Sequence, residues 1–135
     1  AGYHLEIPFT FFERLRMLQA VAEELEWGPR EVSIVPFPLH RPELHNYYIP
    51  RDTHFFLTIH DSNAKKLAEE LQALGFRVRV LWEKPPEKRG ICSTDILQRM
   101  KDGEPWEHLV PPSTALLMKA WGIPKRLHDL SLKPS

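Results

Sequence analysis

Residues 91–112 read ICSTDILQRMKDGEPWEHLVPP and form the most informative stretch of the sequence. The pattern predicts a loop that leads into a helix at Ser93 and Thr94, and then a second short helix closed by paired prolines. The first turn of a helix carries unpaired backbone N–H groups and the positive end of the helix dipole. This segment therefore favours an anion, phosphate above all, beside Cys92, Ser93 and Thr94.

Outward from this segment, the chain predicts helices and strands in alternation. Helices are expected at residues 11–26, 61–74, 113–121 and 124–130. Strands are expected at residues 31–37, 54–59 and 76–82. Thr10 and Glu13 form the signature of a capping box, although Glu13 otherwise falls on the outward face of its helix. Asp61 or Ser62 caps the second helix, and Gly75 ends it.

This order of elements predicts an α/β fold. The connections between strands are long enough for parallel pairing, so we expect a layered sheet of at least three strands with helices on both faces. The length of 135 residues suits one domain, which we place at residues 1–130 with a tail at 131–135. Residues 38–52 are expected to lack regular structure, and a loop of that length is often functional.

The composition excludes several classes of protein. Eighteen acidic residues balance eighteen Lys and Arg, so no net field attracts the chain to nucleic acid or to an anionic membrane. No apolar run reaches the roughly 20 residues of a membrane span. The single cysteine rules out an internal disulfide and fits a cytoplasmic setting. The seven histidines show no zinc spacing, so no metal site is expected.

Several short motifs, in this order along the chain, carry a family resemblance. They are IPFT at residues 7–10 with ER at 13–14, VPFP at 35–38, TIHD at 58–61, ICSTDI at 91–96 and GEPWEHLVPP at 103–112. Together they resemble the nicotinamide/nicotinate mononucleotide adenylyltransferases, within the nucleotidyltransferase (cytidylyltransferase-like) family. The resemblance runs from about residue 7 to residue 130.

The resemblance implies a three-layer Rossmann-like fold and a reaction. A mononucleotide phosphate attacks the α-phosphate of ATP, which enters with Mg²⁺, and a dinucleotide and pyrophosphate are formed. In this family the Ser/Thr-rich loop holds ATP phosphates, and the matching strand end lies beside the nucleotide. The residues that the resemblance assigns to nucleotide or phosphate binding are Ser93, Thr94, Cys92, His60, Asp61, Thr58 and Arg14.

Each assignment competes with a simpler interpretation. Ser93 and Thr94 are also residues that merely cap helices. Arg14 either contacts a phosphate or pairs with a glutamate on the surface. His60 either contacts a base or lies beside a helix cap. Cys92 is more consistent with a small buried thiol than with a nucleophile.

Two departures from the family pattern favour a second function. Leu97 occupies the position where the family has an arginine that pairs with triphosphate oxygens. The family's His-x-Gly-His helix start precedes the IPFT segment, and the sequence from Ala1 does not contain it. The alternative is therefore a non-catalytic nucleotide-binding or assembly module that retains the fold. A sheet without its central strands exposes edges and apolar surface, so we expect a homo-oligomer or a strand supplied by another chain.

Overall fold

The computed structural model describes residues 8–88 and 90–132. These residues form two compact units, one built from residues up to 34 and from 91 onward, and one built from residues 35–90. The helices are α1 (Phe11–Glu24), α2 (His45–Tyr48), α3 (Ser62–Ala73), α4 (Ser93–Asp102), α5 (Pro112–Ala120) and α6 (Ile123–Ser131). The strands are β1 (His54–Ile59) and β2 (Arg77–Glu83), and 3₁₀ turns occur at Pro42–Leu44, Pro86–Lys88 and Glu107–Leu109.

Helix α1 begins at the capping box that the sequence predicts. The Thr10 hydroxyl accepts a hydrogen bond from the Glu13 N–H at 3.1 Å, and the Glu13 carboxylate accepts one from the Thr10 N–H at 2.9 Å. The helix ends at Glu24, two residues earlier than predicted. Glu26, which lies just beyond the helix, adopts a positive φ of 59°.

The first unit is a helical assembly around one apolar core. Its buried residues come from α4, α5, α6 and the turn between α4 and α5, and they are Leu97, Met100, Trp106, Ala115, Met118, Ile123 and Leu127. Ile123 and Leu127 have no exposed surface, so α6 is anchored by two fully buried side chains. Trp106, in the turn between α4 and α5, is 6% exposed and packs in this core. Around this core, α4 packs against α6, and α5 packs against both α1 and α6.

The second unit contains the sheet. β1 and β2 pair in parallel, from His54 opposite Arg77 onward, and α3 is the crossover between them. The Asp61 carboxylate caps α3 by accepting the Ala64 N–H at 2.8 Å, which decides between the two predicted caps. Gly75 follows the helix at a φ of 91°, as its position predicts. Both strands therefore end at the same edge of the sheet, beside the start of α3.

The strand predicted at residues 31–37 is wrong. Residues 32–38 have no regular structure, and the described residues contain two strands rather than the three or more expected. A strand requires a hydrogen-bonded neighbour, and none of the described strands pairs with this segment. Val35 is 46% exposed, and Pro36 has no N–H to donate. The β propensity of Val32, Ile34 and Val35 is not sufficient to form a strand, because β propensity reflects how well side chains pack against a neighbouring strand.

The loop predicted at residues 38–52 is also partly wrong, because it contains a 3₁₀ turn and the single turn of α2. His45 explains this order. Its ring is 2% exposed, stacks on Phe37 with centroids 4.5 Å apart, and donates from Nε2 to the Pro38 carbonyl at 2.9 Å. The buried ring of His45 therefore orders part of residues 38–52, a segment in which the hydrophobic pattern of the sequence predicts no regular structure.

Candidate functional site

The predicted site residues lie in both units. Arg14, Cys92, Ser93 and Thr94 belong to the first unit, whereas Thr58, His60 and Asp61 belong to the second. We describe each group within its own unit.

The start of α4 is capped by a residue that the sequence interpretation did not select. Cys92 is the N-cap, in extended conformation, and its N–H donates to the Asp95 carboxylate at 2.9 Å. The Cys92 Sγ lies 2.8 Å from the Thr94 hydroxyl and 3.2 Å from the same carboxylate. Asp95 therefore supplies the capping carboxylate, and its position three residues after the N-cap was the available signal.

The backbone at this helix start still has donors to offer. The N–H groups of Asp95 and Ile96 bond to the Cys92 carbonyl. Across residues 8–88 and 90–132, no acceptor pairs with the N–H groups of Ser93 and Thr94. These two amides lie at the positive end of a ten-residue helix, a position that favours an anion.

A cleft of about 700 Å³ adjoins the start of α4. Its walls are largely apolar, and its polar lining residues are Arg14, Cys92, Ser93 and Thr114. The structure thus brings Arg14 together with Cys92 and Ser93. Thr94 does not line this cleft.

Arg14 is the cation of this cleft. Its side chain is exposed, and within the described part of the chain no carboxylate pairs with it. The neighbouring Glu13 is instead engaged by Arg126. The alternative in which Arg14 pairs with a surface glutamate therefore finds no support among these residues, and its guanidinium is available to an anion.

Leu97 lies in the core. It is 6% exposed and packs with the buried residues of α4, α5 and α6. Its side chain serves packing, so the cationic role that the family assigns to this position is not filled by residue 97. Arg99, another nearby cation, donates from Nη1 to the Pro105 carbonyl at 3.2 Å.

The second unit contains a groove of about 390 Å³ at the carboxyl ends of β1 and β2. His60 and Asp61 line it, and the Nδ1 atom of His60 is buried without a hydrogen-bond partner in the described structure. Parallel sheets bind ligands at this edge. Asp61 caps α3, so its carboxylate already has a structural role. Thr58 is half-buried on β1, where the strand register shifts.

Two lysines complete the lining of this groove. Lys65 lies on the first turns of α3, and Lys84 follows β2. The sequence analysis selected neither lysine as a site residue. The signal that could have identified both is their position directly after the ends of parallel strands.

No cluster of three His, Cys, Asp or Glu side chains suited to a metal ion occurs in the described ranges. Nor do those ranges include a helix with the length and apolar character needed to cross a membrane.

No protein-family model matches the chain. The similar proteins found by comparison are all named as adenylyltransferases or cytidylyltransferases. Phosphonoformate cytidylyltransferase of Streptomyces viridochromogenes is 33% identical over 120 residues, which cover 89% of this chain and 64% of the relative. Nicotinamide-nucleotide adenylyltransferase of Thermococcus kodakarensis is 32% identical over 117 residues, which cover 85% and 60%. The enzyme of the same name from Pyrococcus horikoshii is 32% identical over 133 residues, which cover 97% and 69%.

These relatives are longer than the aligned region. The chain spans 64% and 60% of the first two relatives. The similarity nevertheless extends over nearly all of this chain, including both units.

Proposed function

Because this chain belongs to the nucleotidyltransferase family, we propose that it transfers a nucleotidyl group from a nucleoside triphosphate to a phosphate-bearing acceptor. The substrates we propose are MgATP and nicotinamide or nicotinate mononucleotide. Seven relatives that are named nicotinamide-nucleotide adenylyltransferase and are 30–32% identical to this chain support this choice. The same membership supports a three-layer Rossmann-like arrangement as part of the proposal.

The observation that carries the proposal is the shared cleft of Arg14 and the α4 helix start. The Arg14 guanidinium and the start of α4 line the same cleft, and at that helix start the Ser93 N–H has no acceptor among the described residues. Such donors hold phosphate oxygens by charge-assisted hydrogen bonds. We assign the triphosphate to this cleft, with Ser93 and Arg14 as binding residues in its lining and Thr94 beside it in the first turn of α4. Cys92 sets the geometry of the loop.

The proposed chemistry needs no covalent intermediate. An oxygen of the acceptor phosphate attacks the α-phosphorus, the bond from that phosphorus to the bridging oxygen of the β-phosphate breaks, and pyrophosphate leaves. Negative charge on the phosphates is the main obstacle, so positioning and charge stabilisation supply the catalysis. Within the second unit, His60, Lys65 and Lys84 are the groups of the groove that we propose for nucleotide binding.

Cytidylyl transfer is the second candidate. One relative at 33% identity is named phosphonoformate cytidylyltransferase, and a phosphonate presents the same kind of nucleophilic oxygen as a phosphate. A non-catalytic, nucleotide-binding module is the third, supported by Leu97 in the core and by the Asp95 carboxylate beside the helix start.

The test is release of pyrophosphate from matched substrate pairs. The chain is incubated with MgATP and either mononucleotide, or with MgCTP and phosphonoformate, and pyrophosphate is measured with and without Mg²⁺. We expect release with an ATP pair. Release of pyrophosphate with MgCTP and phosphonoformate, but with neither ATP pair, would identify the chain as a cytidylyltransferase instead of an adenylyltransferase.

Substitution of Arg14 links the activity to the cleft. Arg14→Met removes one charge-assisted contact and should lower kcat/KM by about 10- to 100-fold. Lys119→Met is the matched control, because it removes one positive charge from an exposed ion pair with Glu107 on the same unit. A thermal shift with millimolar ATP but no turnover would favour the non-catalytic module. Neither turnover nor a shift with any nucleotide would contradict the proposed function.

A further inference from the structure

The start of α1 is tied to α6 by a buried ionic contact, which we call the clamp and define as Arg126, Glu13 and the Pro8 carbonyl. Arg126 donates from Nη1 to Glu13 Oε1 at 2.7 Å and from Nη2 to Oε2 at 2.9 Å. It also donates from Nη1 to the Pro8 carbonyl at 2.9 Å. Only 17% of the Arg126 side chain and 11% of the Glu13 side chain are exposed, so solvent does not compete strongly for these bonds.

Glu13 has two simultaneous roles at this point. Its Oε1 atom accepts the Thr10 N–H that closes the capping box and also accepts from Arg126. Its carboxylate is therefore held from the helix start on one side and from α6 on the other. Arg126 itself is placed by its neighbour Leu127, which has no exposed surface.

A fixed Glu13 side chain fixes the direction of Arg14. Successive side chains of an α-helix are separated by about 100° around its axis. The first turn of α1 cannot rotate without breaking the two bonds between Glu13 and Arg126. As Glu13 is directed at α6, Arg14 is directed into the cleft that it shares with Cys92 and Ser93.

Stability alone does not explain an ionic clamp. A well-packed apolar pair of similar volume often stabilises a protein as much as a buried ion pair or more. A bidentate guanidinium–carboxylate pair adds direction, because both bonds require one relative orientation of the two groups.

We infer that Arg126 is a positioning residue that acts through Arg14 on triphosphate binding. This inference rests on the proposed function, since it assigns a use to the direction of Arg14. Arg126 contacts no substrate; it sets the orientation of the side chain that does.

The experiment measures affinity for MgATP by calorimetry in a double-mutant cycle. Arg126→Met should weaken binding by about 10-fold, the loss expected when one charged contact is misplaced. In an Arg14→Met background, Arg126→Met should cause no further loss, because the residue through which it acts is absent. Losses that multiply, or unchanged affinity in Arg126→Met, would overturn the inference.

Two further variants separate positioning from folding. Arg126→Lys retains the charge and loses the bidentate geometry, so it should bind MgATP more weakly than wild type while keeping the fold. It also provides the readout if Arg126→Met does not fold. Lys119→Met, with the same loss of charge as Arg126→Met, should bind as wild type does.

Hydrogen exchange distinguishes failure of the inference from failure of the proposed function. The Arg14 N–H bonds to the Thr10 carbonyl in the first turn of α1, and its protection should fall in Arg126→Met but not in Lys119→Met. Unchanged protection would show that the clamp does not hold this turn, and would overturn the inference. If protection falls but wild type binds neither MgATP nor MgCTP, the clamp exists and it is the proposed function, with the role given to Arg126, that fails.

Discussion

Glu13 shows how much a single carboxylate can organise. It caps α1, binds Arg126 and lies beside the residue that enters the cleft. The hydrogen bond from Arg126 is the largest cause that lowers the pKa of Glu13 below its ordinary value, and the opposing effect of burial is smaller. The capping box itself is visible in the sequence. The burial of Glu13 is not, because its partner lies 113 residues away.

The lowered pKa of Glu13 predicts a pH dependence of stability. A carboxyl with a folded-state pKa below the unfolded value contributes fully above the unfolded value of about 4.3, and the contribution is lost as pH falls through the folded value. Glu13→Gln should therefore reduce the free energy of unfolding by about 3 kcal/mol at pH 7, since Arg126 loses its buried partner. The difference from wild type should shrink steadily below about pH 4.3. Urea titrations between neutral and acid pH measure both effects.

Glu107→Gln is the control for this prediction. Glu107 pairs with Lys119 at 3.3 Å, but both side chains are exposed. Because water screens such pairs, Glu107→Gln should change the free energy of unfolding much less than Glu13→Gln does. A wild-type-minus-variant difference that is constant with pH for Glu13→Gln would contradict the assignment of the clamp as ionic.

At the scale of elements, the sequence predicts the ends of helices well and the existence of strands less well. Thr10 and Asp61 cap helices and Gly75 ends one, and each acts within a few residues of its own position. Such local effects can be predicted from the sequence. The segment at residues 31–37 fails as a strand because pairing depends on a neighbour that local sequence does not specify. The position of residue 97 in the core, and of Lys65 and Lys84 at the groove, likewise depends on packing between elements.

The end of α4 offers a prediction with a matched control. Gly103 adopts a φ of 72°, and a Cβ added there meets no atom within 4 Å. Gly103→Ala should therefore destabilise the chain through backbone strain alone, by about 1 kcal/mol. Gly28 has equally open surroundings without a positive φ, so Gly28→Ala should be close to neutral. Equal losses in thermal unfolding for the two variants would contradict this account.

At the scale of the whole molecule, the α/β class and the family are confirmed, and the predicted number of strands is not. The candidate site residues divide between two units. The order of the motifs along the chain indicated the family, and the relatives at 30–33% identity confirm it. Motif order does not specify the distances between side chains. The cleft shared by Arg14 and Ser93 depends on packing between helices that are far apart in the sequence.

The clamp also has a consequence for the order in which the chain folds. The first unit is discontinuous, so contact between Glu13 and Arg126 closes a loop of 113 residues, whereas residues 35–90 are contiguous. Loop-closure entropy opposes early formation of such distant contacts. We expect a φ-value near zero for Glu13: Glu13→Gln should accelerate unfolding and leave refolding almost unchanged in stopped-flow chevron plots. A refolding limb slowed in proportion to the lost stability would instead place the clamp in the folding nucleus. A bond that forms only after the transition state of folding is one whose loss shortens the lifetime of the native state.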